Sequence, residues 1–203
     1  MSRTFLVATR NAHKLEEIQD LLSGLRIQLL SLTDAGIRRH PEEDSIEVFD
    51  SFEGNALAKA RYYRSRSDLP TIADDSGLCV DALDGAPGVH SRRFAPLEFR
   101  GDLDEDEANN RWLLDQLGGI PDIRRAAHYR CSLALVEERR SLLVNGTVHG
   151  RIAVGPRGQN GFGYDPLFVL TGGDSTFGEL PPAVKAARSH RADAIRRLRP
   201  WLA

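Results

Sequence analysis

The chain has 203 residues, 41% hydrophobic and 28% charged, which is long and apolar enough for a full core. A formal net charge of -2 gives no general attraction to nucleic acid or an anionic membrane, so an anionic ligand must be held by a local cluster of cations. No stretch approaches a membrane span, the apolar run Phe5 to Ala8 is too short for a signal peptide, and Cys79 and Cys131 lack metal-ligand spacing; the expectation is a cytoplasmic protein with two reduced thiols.

Residues 4–9, TFLVAT, read as a buried strand ending at polar Arg10 and Asn11. In residues 11–24, Leu15, Ile18, Leu21 and Leu22 recur at helical spacing, and Gly24 stands where a helix would stop. RIQLLSL at 26–32 returns as a strand. The charged segment 37–50, with Pro41 and neither periodicity, reads as a loop. Residues 51–67 read as a helix with Ser51 as N-cap. At 69–80, LPTIADDSGLCV, a short apolar strand gives way to two acids, followed at 84–95 by a turn-rich loop.

Residues 104–117 form an amphipathic helix with acids in its first turn, which suits the helix dipole. Residues 125–154 read as two strands meeting at the charged turn Glu137 to Arg140. Ser189 caps a last helix that buries Ile195 and Leu198. βαβ units at the start and a hairpin later predict an α/β fold with a mixed sheet and flanking helices, here as one domain over residues 1–203.

Five stretches carry candidate chemistry. In ATRNAHK, a strand meets a helix with Thr9, Asn11 and Lys14 at the junction; this is an anion site or simply a turn capped by Asn11. In IADDSGL, adjacent aspartates on an extended strand point to opposite faces. They read as a Mg²⁺ ligand or general base at the sheet's C-terminal edge, or as an Asx-turn ending the strand. Glu47 and Lys59 in EVFDSFEGNALAKA offer an acid and a cation, unless both are surface charges.

GFGYDPLF at 161–168 sets glycines beside aromatics, so that a backbone can come close to a ligand with a flat face nearby, though Phe162 in the core would also account for it. It lacks the spacing and context of a dinucleotide fingerprint. In KAARSHR, Lys185 precedes His190 and Arg191 in a helix's first turn, where positive charge opposes the dipole and calls for a negative or polar ligand edge. The six histidines include no HExxH and no close pair, which disfavours zinc, and no GxSxG elbow supports a serine triad. Carboxylates, lysines and glycine loops remain, the materials of phosphate chemistry with a hard cation.

Taken in order, these motifs closely resemble the inosine triphosphate pyrophosphatase family, which removes non-standard purine nucleoside triphosphates. The matching runs are TRNAHK at 9–14, FEGNALAKA at 52–60, ADDSGL at 73–78, GAPGVHSRRFA at 85–95, GFGYDPLF at 161–168 and SHR at 189–191. The resemblance implies an elongated α/β fold with two lobes around a nucleotide cleft, usually a homodimer, and Mg²⁺-dependent hydrolysis of ITP, dITP or XTP to monophosphate and pyrophosphate. By position, Thr9, Arg10, Asn11, Ala12, His13, Lys14, Lys59 and Lys185 would hold the triphosphate. Asp75 would be the catalytic acid-base residue and a metal ligand, Glu47 the other metal-binding acid, and Ser76 a substrate contact. Phe162, Gly163, Tyr164 and Asp165 would surround the purine with His190 and Arg191, Phe162 supplying the stacking face.

The chain departs from the pattern at Arg10, where many members have glycine, at Gly54, where an acid is usual, and at Ala183, Val184 and Ala186 around Lys185. Rival readings are a pyrophosphatase for modified pyrimidine or methylated nucleotides, and a non-catalytic nucleotide-binding module. The second would not need Glu47, Asp74 and Asp75.

Overall fold

A computed structural model describes residues 2–202. The elements in order are β1 (Arg3–Val7), α1 (Ala12–Leu22), β2 (Ile27–Ser31), α2 (Phe52–Ser67), β3 (Thr71–Val80), α3 (Leu97–Arg100), α4 (Glu105–Gln116), β4 (Ala126–Val136), β5 (Ser141–Ile152), β6 (Phe168–Leu170), α5 (Pro182–Arg188) and α6 (His190–Leu198). The strands form one six-stranded sheet in the order β2-β1-β3-β4-β5-β6. β1 pairs in parallel with β2 and β3, and β5 pairs antiparallel with β6, which makes the sheet mixed as the patterning predicts. No helix among the described residues is long and apolar enough to cross a membrane.

The chain divides into two compact units: residues up to 75 with 131–146 and 190 onward, and residues 76–130 with 147–189. In the first, the sheet is apolar on both faces, because helices cover both sides of a parallel βαβ arrangement. Phe5, Val7 and Ile72 pack with Ile18 and Leu22 of α1 and with Ile195 and Leu198 of α6. Their strand neighbours Leu6 and Ala73 face the other way, onto Ala56, Ala60 and Tyr63 of α2. Gly146 of β5 makes the close seating of α6 possible: a Cβ there would lie 2.2 Å from the His190 carbonyl oxygen and 2.3 Å from the Ala194 nitrogen.

The second unit has its own core, in which Leu78, Val80, Tyr129, Ile152, Phe168 and Phe177 meet Leu113 of α4 and Leu117 at its C-cap. The buried Arg125 guanidinium secures the far end of α4 by donating to the carbonyls of Leu117, Ile120 and Ala153.

Three features differ from the sequence reading. The strand through residues 71–80 does not stop at the two aspartates but continues to Val80, because it is hydrogen-bonded beside β4 in the sheet, a pairing between residues remote in sequence. Pro182–Arg188 is a helix of its own, too short to show a periodicity. The segment 37–50 contains a 3₁₀ turn at Pro41–Ser45, with Glu43 accepting from the N–H of its capping residue, His40.

Candidate active site

The turn from β1 to α1 is built by its own side chains. The Asn11 N–H donates to Thr9 Oγ1, and Asn11 Oδ1 accepts from the Lys14 N–H, both at 3.1 Å. Asn11 is therefore the helix cap, as the sequence suggests. Ala12 and His13 lie exposed in the first turn, with Lys14 half-buried beyond them. Arg10, in place of glycine, turns outward and grips Glu43 with two nitrogens, at 2.8 and 3.1 Å, tying this turn to the 3₁₀ turn of the next loop.

Asp74 lies on the α1 and α6 side of the sheet and is inaccessible to solvent. Lys14 Nζ stands 3.1 Å from it, and the Arg191 guanidinium donates to it at 3.0 and 3.2 Å. Arg191 also pairs with Glu17. Burial would raise the Asp74 pKa, but Lys14, Arg191 and Lys59 outweigh it and hold the group far below the usual carboxylate range. Arg191 is thus balanced inside the protein by Asp74 and Glu17, which supply the negative charge that a cation set against the helix dipole calls for. His190 beside it is also buried.

Asp75 points to the opposite face, toward α2, where Asn55, Lys59 and Tyr63 lie one per turn along one stripe. Asn55 Nδ2 donates to Asp75 Oδ2 at 3.0 Å while Asn55 Oδ1 accepts from the Phe49 N–H at 2.9 Å, so one buried amide joins Asp75 to the loop that carries Glu47. Lys59 pairs with Glu47 directly. Gly54 suits the same arrangement: a Cβ there would stand 2.8 Å from Phe49 Cβ.

Burial raises the Asp75 pKa and Glu47 adds to it, against the pull of Lys14 and Lys59. The neighbouring aspartates are therefore driven in opposite directions, one kept ionised and one made more basic. Ser76 follows on the other face of β3, half-buried. Among the described residues no three His, Cys, Asp or Glu side chains close on one point as a metal cage.

In the second unit, GFGYDPLF forms a compact turn. Gly161 and Gly163 have φ of +80° and +63°, and a Cβ on Gly161 would strike Asp165 Oδ2 at 2.0 Å. Asp165 accepts from the Phe162 N–H at 2.8 Å and from Lys185 Nζ at 2.5 Å. Lys185 Nζ also lies 4.6 Å from the centroid of the half-buried Phe162 ring, in cation–π range. Tyr164 is a core residue whose hydroxyl donates to the Ser91 carbonyl at 2.7 Å.

The first unit thus gathers Lys14, Lys59, Glu47, Asp74 and Asp75, and the second gathers Phe162, Asp165 and Lys185. Reading the sequence missed Asn55 and Glu17, although each stands one turn from a singled-out lysine on the same helix.

An α/β protein that gathers carboxylates and lysines in this way has the materials of phosphate chemistry. Residues 5–201 match the model of the Ham1 family. The dITP/XTP pyrophosphatase of Nocardia farcinica is 46% identical over 202 residues, covering 98% of this chain and 94% of that protein. That of Thermoanaerobacter sp. (strain X514) is 41% identical over 197 residues, covering 97% and 95%. The structure of a HAM1 protein from Coxiella burnetii superposes with a TM-score of 0.84 at 36% identity, covering 98% of each chain. The chain belongs to the Ham1 family.

Proposed function

We propose that this protein hydrolyses non-standard purine nucleoside triphosphates, dITP, ITP and XTP, to the monophosphate and pyrophosphate. The observation that carries the reading is the opposed pair on β3: Asp74 held ionised by Lys14 and Arg191, and Asp75 made more basic beside Asn55, Lys59 and Glu47. The names of the relatives support the substrate class.

Thr9 to Lys14 and Lys59 bind the triphosphate, with Ser76 as a further contact. Asp75 orients a water and takes its proton as the oxygen attacks the α-phosphorus. The new O–P bond forms as the bond from that phosphorus to the bridging oxygen breaks, and pyrophosphate leaves. A positioned base of this kind supplies roughly 10²–10⁴ in rate. Glu47 and Asp75 offer the hard oxygen donors that suit Mg²⁺, which typically takes one or two carboxylates and completes its shell with phosphate and water, so a full protein cage is not required. When bound, the cation offsets phosphate charge.

Phe162 stacks on the purine, and Gly163 to Asp165 shape its surroundings. The resemblance implies a triphosphate contact for Lys185, but its contacts with Asp165 and Phe162 support a place beside the base. Arg191 is given to holding Asp74. A cytoplasmic homodimer belongs to the same reading, and light scattering of the purified protein checks the dimer.

The test is kcat/KM for ITP, XTP, GTP and ATP at one magnesium concentration, scoring pyrophosphate against orthophosphate. Hypoxanthine and xanthine present a 6-oxo acceptor and an N1–H donor, and adenine reverses both. With Arg191 engaged, a backbone N–H is the donor to the 6-oxo group, and adenine leaves it unpaired at about 1–3 kcal/mol per group. Comparable values for ATP and ITP, or release of orthophosphate, overturn the reading.

A further inference from the structure

The turn that presents Phe162 is held from outside its own sequence. Gly163 is gripped at both of its backbone groups by α4: its N–H donates to Asp106 Oδ2 at 2.6 Å, and its carbonyl accepts from Asn110 Nδ2 at 2.9 Å. Asp106 and Asn110 lie one turn apart, so a single helical face supplies both contacts. The helix itself is fixed along its length. Asp104 caps it, Asn109 joins it to the Arg92 carbonyl and the Ala95 N–H, Leu113 and Leu117 are core residues, and Arg125 holds its far end.

On the other side of Phe162, Asp165 takes that residue's own N–H and pairs with Lys185. Phe162 therefore sits between two anchored peptide groups. Asn110 Oδ1 is buried with no hydrogen-bond partner among the described residues. Packing alone does not account for an amide there, because leaving a buried acceptor unmet costs free energy.

We propose that Asp106 and Asn110 form a clamp that fixes the Gly163 peptide and thereby sets the pose of the Phe162 ring, making them positioning residues for purine recognition. The inference rests on the functional reading above. Releasing one hydrogen bond of ordinary strength lets the turn leave its binding pose, and affinity falls by the fraction of time it is away, about fivefold per bond.

The experiment compares Asn110→Ala, Asp106→Ala and Asp106→Asn with the wild type by ITP kinetics, inhibition by inorganic pyrophosphate, melting temperature and amide hydrogen exchange over residues 161–165. Both alanine variants are expected to exchange several-fold faster at this turn and to raise KM for ITP about fivefold. Their kcat and pyrophosphate inhibition should stay near wild type, since pyrophosphate carries no base. Asp106→Asn keeps an oxygen acceptor and should restore KM. Faster exchange with an unchanged KM overturns the clamp's role, as does an equal loss of ITP and pyrophosphate binding, which would mark a general structural effect. A wild-type protein that turns over no purine triphosphate overturns the functional reading and this inference together. A working wild type whose KM survives both alanine changes overturns the clamp alone.

Discussion

Asp75→Asn separates chemistry from binding and from folding. The substitution is nearly isosteric, and the new amide can turn its oxygen to the Asn55 Nδ2 that now donates to Asp75 at 3.0 Å. The bridge from Asn55 to the Phe49 N–H is untouched. Lys59 keeps Glu47 and Asp74, and Lys14 keeps Asp74, so no cation is left without an acid. The melting temperature should therefore change little. An amide, however, takes no proton from water at neutral pH and is a poor ligand for a hard cation. Losing a positioned base costs about 10²–10⁴ in rate, and weakening the cation site adds to that, so kcat should fall by at least about 10³, or roughly 4 kcal/mol of barrier. Binding of ITP should persist or tighten, because one negative charge is removed from a site that receives a polyanion. Pyrophosphate release under saturating ITP measures the first effect, and calorimetric titration of the slow variant with ITP and Mg²⁺ measures the second. A folded Asp75→Asn protein retaining kcat within tenfold of wild type would remove Asp75 from the chemistry.

Phe162→Ala should weaken ITP binding by about 1–3 kcal/mol, the range for loss of a base-stacking ring, with a small change in melting temperature because the ring is only half-buried; a large stability loss at unchanged KM would make Phe162 a packing residue. Gly146→Ala places a methyl 2.2 Å from the His190 carbonyl oxygen, so α6 must retreat by about 1 Å and stretch the Arg191–Asp74 contacts. Overpacking of this kind costs about 1–3 kcal/mol, a fall of roughly 2–4 °C per kcal/mol at this chain length, and an unchanged melting curve contradicts the close seating of α6. Glu43 is raised by burial, but the hydrogen bonds of Arg10, Tyr63 and His40 outweigh this and lower it from 4.5 to about 2. Its contribution is therefore complete above pH 4.5 and lost as the pH falls toward 2, at most about 3 kcal/mol and less in salt because Arg10 is partly exposed. Denaturant titrations of Glu43→Gln should show a shallower loss of stability than wild type across that window, and parallel curves refute the assignment.

What the sequence determined by itself is what local chemistry decides. Apolar runs such as Phe5 to Ala8 specify strands buried on both faces, helical spacing places three helices, two of them with Asn11 and Ser51 as caps, and the polar motifs identify the materials of phosphate chemistry. Even the opposite facing of Asp74 and Asp75 follows from the period of an extended chain. Only the tertiary structure decided which partners those groups meet. Arg191 reads as an unbalanced cation because Asp74 and Glu17 are remote from it in sequence, and β3 reads as a strand that ends because β4, which pairs beside it, lies some fifty residues further along the chain. Asn55, Asp106 and Asn110 pass as ordinary polar helix residues until the fold brings a carboxylate or a glycine peptide against them. A hydrogen bond between residues distant in the chain leaves no periodicity behind. Its donor and acceptor are visible in the sequence, but their pairing is set by how the helices pack on the sheet.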